Sequence, residues 1–383
     1  MAAFETQEYR ARVASVSQAM QARGIDTLVV LAEAHLCYLT GYEGFSDYVP
    51  QAAIVRAGDE DPILILREMD VHCAHPTVYL DPGRVEGYPE RYIGTAARSP
   101  WEVIGRRATE IAGSGRIGIE PGAKGFSHRD YEQLMAALGG RSVADGTAVV
   151  PSVKVKKSPA EIAYMRQAAT IVDQAVTAGA ARIAVGVREC DVAATIMENL
   201  ARGTPACGGG PSLPVTMPVT PWAQAPHIKW TDRVYEKGRQ TNFEVAAFVH
   251  RYACPLSRTV YLGTPPERLR TVHGIVLDGF QAALAAVRPG VTCGDVHRAF
   301  AKAFAGRGVR KESRIGYSLG IDWSDLCFSL QDDDATVLEP DYTFHLIIGI
   351  WEREDAYVFS EAIRVGAKEG ESFTRVPREL FVR

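Results

Sequence analysis

A seven-residue pattern occurs twice in the second half of this chain. Gly186-Val187-Arg188-Glu189-Cys190-Asp191-Val192 reappears 104 residues later as Gly290-Val291-Thr292-Cys293-Gly294-Asp295-Val296. Each copy follows a long alanine-rich helical stretch (VDQAVTAGAARIAV and LDGFQAALAAVRP) and precedes another helix (AATIMENLA and HRAFAKAFA). The matched helix–turn–helix context favours duplication over chance. A duplicated α+β unit folds most simply into a pseudo-twofold domain, an antiparallel sheet covered by helices. Its active site is expected on the sheet, near the pseudo-axis.

This unit does not fill the chain. Ser158-Pro159-Ala160-Glu161 places serine at an N-cap, proline at N1 and glutamate at N3, a capping box that opens a long helix. Before it, Val153 to Lys157 (VKVKK) reads as basic, extended chain. The first 150 or so residues alternate apolar runs with helical stretches. Strands are expected at Asp26–Leu31, Gln51–Arg56, Pro62–Leu66 and Arg116–Ile119, and helices at Trp101–Ile111 and Tyr131–Leu138. The fold class is therefore α/β in two domains: a small N-terminal domain over 1–152, and the duplicated α+β domain over 153–383.

Composition removes several classes of function. With 42 basic against 46 acidic residues, no basic field exists for nucleic acid. No apolar run is long enough to cross a membrane, and the N-terminal stretch lacks the apolar core of a signal peptide. Seven dispersed cysteines without a C-x-x-C pair argue against a disulfide framework and a cysteine zinc site. A cytoplasmic enzyme acting on a small molecule is the expectation.

Three residues stand out as candidate catalytic groups. His227 lies in WAQAPHIKW, after a loop rich in glycine and proline that has little reason to bury a histidine for packing. Glu244 sits inside an apolar strand, TNFEVAAFV, where Asn242, Glu244 and Ala246 share one face. A lone carboxylate there is costly to bury unless it is paired or functional. Glu361, in VFSEAIRV, has the same character. Two carboxylates and a histidine suit general acid–base work.

The second half resembles the pita-bread family of methionine aminopeptidases, prolidases and creatinase, and the resemblance extends to the small N-terminal domain of its creatinase branch. It is carried by the opening Lys157-Ser158-Pro159-Ala160-Glu161-Ile162 and by Pro255-Leu256-Ser257-Arg258-Thr259-Val260-Tyr261-Leu262-Gly263, which is similar to D-x-T-R-T-V-x-x-G. The family's peptidases hold two metal ions on five ligands. By local motif these positions fall on Glu244, Pro255, Tyr317, Ile347 and Glu361. Proline and isoleucine cannot bind a metal, so the resemblance implies loss of the two-metal peptidase mechanism and leaves Xaa-Pro peptidase activity as a less favoured alternative. At most a single weakly held ion on Glu244 and Glu361 is implied; no cofactor and no metal are expected.

His227, seventeen residues before Glu244, falls where creatinase carries its catalytic histidine. This pattern resembles the metal-independent branch of creatinase and ectoine hydrolase, which cleave non-peptide C–N bonds in small zwitterions. Within that branch, the segment Leu39-Thr40-Gly41-Tyr42-Glu43-Gly44-Phe45-Ser46-Asp47-Tyr48-Val49-Pro50-Gln51 resembles ectoine hydrolase more than creatinase. Creatinase fits less well, since its second catalytic glutamate falls on Ser257.

The resemblance thus implies a hydrolase of a cyclic amidine or guanidine, with His227, Glu244 and Glu361 as catalytic groups. Phe45, Tyr48, Tyr317, Asp322, Trp323 and His345 are the implied substrate-binding residues. Asp322 and Asp325 would attract a cationic amidinium. The implied assembly is a homodimer in which Phe45 and Tyr48 of one N-terminal domain close the partner's site. Two alternatives stay open: a lyase acting on a cationic zwitterion, and a catalytically inert binding protein.

Overall fold

The computed structural model describes residues 2–46, 48–94, 97–210 and 215–383. The chain divides into two compact units, Met1–Lys154 and Val155–Arg383.

The first unit runs α1 (Thr6–Gln21), β1 (Thr27–Val30), α2 (Glu33–Thr40), β2 (Ala52–Arg56), β3 (Ile63–Arg67), α3 (Val71–Ala74), β4 (Val85–Tyr88), α4 (Pro100–Ala112), β5 (Ile117–Ile119), α5 (His128–Ala137), β6 (Ala144–Asp145) and α6 (Val149–Lys154). Its mixed sheet has the order β4-β3-β2-β1-β5-β6. One face buries Val29, Ile54 and Ile65 against Trp101, Ile104 and Ala108 of α4 and Leu134 of α5. The four strands and two helices expected from the sequence are all present. The N-terminal stretch forms α1 because Tyr9, Val13, Val16 and Met20 recur at helical spacing and are all buried. Val153 and Lys154, expected as extended chain, instead end α6.

The second unit runs α7 (Pro159–Arg182), α8 (Glu189–Arg202), β7 (Gln240–Val249), β8 (Tyr252–Tyr261), α9 (Glu267–Ala286), α10 (Cys293–Phe304), β9 (Gly316–Gly320), β10 (Trp323–Ser329), β11 (Thr343–Ile350), β12 (Tyr357–Val365), β13 (Gly370–Ser372) and β14 (Phe381–Val382). The repeated pattern forms the turn between α7 and α8 and again between α9 and α10. Gly186 and Gly290 both have φ 86°, a left-handed conformation that glycine adopts without steric cost. The two copies differ at the following N-cap. Thr292 and Asp295 form a full capping box, whereas Arg188 makes no side-chain cap. Each helix pair crosses at a glycine: a Cβ on Gly179 would run into Ile196, and one on Gly279 into Phe300.

The sheet has the order β10-β9-β11-β12-β8-β14, with β7 added on β8 and β13 on β12. Every pairing is antiparallel except β14 with β8. Helices cover one face. There Phe359 meets Phe280 of α9 edge-on at 4.8 Å, and Phe243 approaches Gly179 of α7. The opposite face is the one that bears on function.

Candidate active site

The strand register assigns residues to faces. Glu244 lies opposite Ser257, Ser257 opposite Ser360, Ser360 opposite Ile347, and His345 opposite Tyr317. Directly opposed residues share a face. Glu244, Ser257, Ser360, His345 and Tyr317 therefore form a polar row across the face away from the helices. A bridge between Tyr252 and Ile321, with the Asp322 N–H donating to the Arg251 carbonyl at 2.9 Å, curls the β9–β10 turn onto the start of β8. The Tyr317 end of the row thereby comes close enough to Glu244 for its charge to help raise the phenol's pKa.

Glu244 makes no side-chain hydrogen bond among the described residues, and burial pushes its carboxyl up to about 7. A carboxyl poised there can take or give a proton near neutrality. Beside it, Ser257 is fully buried and its Oγ has no partner among the described residues.

The other end of the row is fully bonded. The Trp323 indole N–H donates to Tyr317 Oη at 2.9 Å; Tyr317 Oη meets His345 Nδ1 at 2.9 Å; His345 Nε2 meets Ser360 Oγ at 2.6 Å. His345 is completely buried, which lowers its pKa to about 3 and keeps the imidazole neutral. Asp322 and Trp323 have φ of 60° and 81°, unusual for residues with a Cβ. The Arg251–Asp322 ion pair and the Trp323–Tyr317 bond hold this turn.

Two expectations need correction. Glu361 does not face Glu244. It alternates with Ser360 and therefore points to the helix-covered side. There Arg258 donates to its Oε1 at 3.0 Å, Arg378 donates to both oxygens at 3.0 and 2.8 Å, and the Ser372 hydroxyl reaches Oε2 at 2.6 Å. Such a saturated carboxylate ties β12 to β8, β13 and the C-terminal segment; it has no lone pair left for chemistry. Cys254, beside the position at Pro255, shares that buried side, and the nearby Glu361 and Asp173 charges help raise its pKa. The second correction concerns the acidic loop. Asp322 is paired with Arg251, its Oδ1 2.7 Å from Nε, and Asp325 is buried against Lys157 at 2.6 Å. Both charges are already neutralised.

His227 is exposed on its loop and makes no side-chain hydrogen bond among the described residues. Its neighbour Ile228 accepts from the Met217 N–H at 3.0 Å, and Thr216 pairs with Glu244 through backbone bonds of 3.1 and 3.2 Å. The loop is thus stitched to the edge of β7 beside Glu244. Phe45 and Tyr48 belong to the first unit, with exposures of 87% and 68%.

Ser257 and Ser360 were not singled out as site residues. The signal that marked Glu244, a polar side chain in an apolar strand, applies to both but is weak, because a hydroxyl costs far less to bury than a carboxylate.

The fold and this sheet face define a two-domain pita-bread protein of the creatinase and prolidase type. Residues 163–368 match the metallopeptidase family M24, and residues 12–155 match the creatinase/prolidase N-terminal domain. The chain belongs to the M24 family. It is 37% identical over 380 residues to an uncharacterized hydrolase/peptidase of Sinorhizobium fredii, covering 99% of this chain and 97% of that protein. It is 32% identical over 393 residues to ectoine hydrolase of Halomonas elongata, covering 99% and 98%. Among solved structures, dipeptidase PepE from Mycobacterium ulcerans superposes with a TM-score of 0.84 over 99% of both chains at 21% identity. The prolidase from Pyrococcus horikoshii gives 0.82 over 97% of this chain and 99% of its own, at 19% identity. These two likenesses concern the fold.

Membership of a metallopeptidase family raises the question of a metal. The ligand positions carry Glu244, Pro255, Tyr317 and Ile347, and Ser360 is the residue of β12 on their face. Among the described residues, no group of three or more His, Cys, Asp or Glu side chains could hold a metal ion. One carboxylate with a phenol and two hydroxyls does not fit a dinuclear centre, which needs bridging carboxylates.

Proposed function

We propose that this protein is a metal-independent hydrolase of a non-peptide C–N bond in a small zwitterion, with a cyclic amidine such as ectoine as substrate. The observation that supports this most is the replacement of a ligand cluster by one carboxyl, Glu244, poised at about 7 on a face lined with neutral hydroxyls. An amidinium carbon is electrophilic because its charge is shared by two nitrogens. It therefore needs less activation than a peptide carbonyl, and a carboxylate beside it both stabilises the cation and takes a proton from attacking water. His227, at the edge of the strand that carries Glu244, supplies a proton to the departing nitrogen from the loop side. Full-length likeness to an ectoine hydrolase supports the same substrate class.

Mass-spectrometric turnover of ectoine, hydroxyectoine and creatine tests this reading. The expected product is the ring-opened amide, heavier by one water, from ectoine or hydroxyectoine. An alkene product without added water would point to the lyase instead, and cleavage of Xaa-Pro dipeptides alone would overturn the proposal.

A further inference from the structure

The proposed substrate is a zwitterion, yet the polar row answers only its cationic end, through Glu244. The carboxylate calls for a cation on the same face. Two cations near the Tyr317 end are already engaged: Arg251 pairs with Asp322, and Lys157 with Asp325. Arg314 is different. It lies just before β9, is exposed, and has no acidic partner among the described residues.

Two contacts fix where its guanidinium lies. Its Cζ sits 4.6 Å from the centre of the Tyr317 ring, and its Nη1 donates to Ser329 Oγ at 2.7 Å. Ser329 of β10 lies directly opposite Tyr317 of β9 and so shares the face that carries the polar row. A group that touches both side chains is on that face as well. Asp334, the acid that bonds the Ser329 backbone, accepts from the N–H groups of Ser329 and Thr336 at 2.7 and 2.9 Å and leaves Arg314 uncompensated. The Tyr252–Ile321 bridge that curls the β9–β10 turn onto β8 turns this end of the sheet toward Glu244. The ring contact and the bond to Ser329 hold the guanidinium in place while using one of its N–H groups. The remaining donors form a fork that matches a carboxylate.

We infer that Arg314 binds the carboxylate of the zwitterionic substrate while Glu244 faces its cationic end, with Tyr317 between them. The inference rests on the reading of the protein as a hydrolase of a small zwitterion. An unpaired acid and an unpaired guanidinium on one face complement a molecule that carries both charges. Neither a simple amine nor a simple acid satisfies both. Arg314 is therefore a specificity determinant: it selects among amidines by the carboxylate, away from the carbon that reacts. Because its guanidinium is exposed, the selection is moderate, about 10-fold.

The test compares turnover of ectoine with that of the same methylated amidine ring lacking the carboxyl group. The wild type should prefer ectoine by about 10-fold in kcat/KM, mostly through KM. Arg314→Gln should bring the ratio of the two substrates close to one, and Arg314→Lys should keep part of the preference. If Arg314 only supported the Tyr317 ring, Arg314→Gln would slow both substrates together and leave the ratio as it was; that result overturns the inference and leaves the hydrolase reading intact. A second measurement needs no turnover. In nitrogen-15 arginine-labelled protein, with Arg314→Lys identifying the signal, the Arg314 Nε–H should shift on adding pipecolate, a ring zwitterion without an amidine carbon. It should not shift with piperidine, the same ring without the carboxylate. No shift with pipecolate overturns the inference. If wild-type enzyme leaves both amidines untouched, the substrate reading fails, and the NMR result alone supports or overturns the role of Arg314.

Discussion

Glu244 bears the cost of the site. Its carboxyl sits near 7 in the folded chain against an ordinary 4.5, so the folded state keeps its proton longer than the unfolded state does. Between pH 4.5 and 7 the unfolded state binds fewer protons, and stability falls as pH rises through that window. The loss persists above pH 7. Glu244→Gln is therefore expected to stabilise the protein by about 3 kcal/mol at pH 8 and to change little at pH 4.5, while activity drops by at least 100-fold. Denaturant unfolding at the two pH values checks the first part. Equal effects at both would mean that the carboxyl is not held by burial.

At the scale of elements, the β12 strand explains both what the sequence discloses and what it conceals. Glu244 could be placed on its face because Asn242 and Ala246 phase the strand. β12 offers no such phase: eight of its nine residues, Tyr357 to Ile363 and Val365, are buried on one side or the other. A one-residue choice between Ser360 and Glu361 then decides which points to the site, and only the pairing with Ser257 and Ile347 resolves it. The boundary helix, by contrast, was legible because serine and glutamate satisfy backbone donors locally and proline at N1 removes one. Arg251–Asp322 and Lys157–Asp325 were not legible, since each pair joins residues far apart in sequence. The reassignment of Glu361 makes a prediction of its own. Glu361→Gln leaves the buried Arg258 without its counter-charge and is expected to cost about 3–5 kcal/mol of stability. A thermal or denaturant melt reads the loss. An enzyme of full stability and no activity would return Glu361 to the catalytic set.

For the whole molecule, the opening repeat accounts for the architecture of the second unit: two helix pairs, each turning at a glycine with φ 86°, over one antiparallel sheet. The chain length and the alternation of its first 150 residues accounted for the N-terminal unit. Phe45 and Tyr48, large and exposed on that unit, fit a contact with a second copy of the chain. Analytical ultracentrifugation should find a dimer for the wild type and a shift toward monomer for Phe45→Ser with Tyr48→Ser; a wild-type monomer would remove that assembly.

The family is one of metallopeptidases, yet the donor set on this sheet face suits proton transfer better than metal binding. The most direct measurement is ectoine turnover by enzyme exhaustively treated with a strong chelator and then dialysed, with metal content determined in parallel. The account predicts an unchanged rate in metal-free protein. Loss of turnover on chelation, restored by adding back a divalent transition metal, would contradict it.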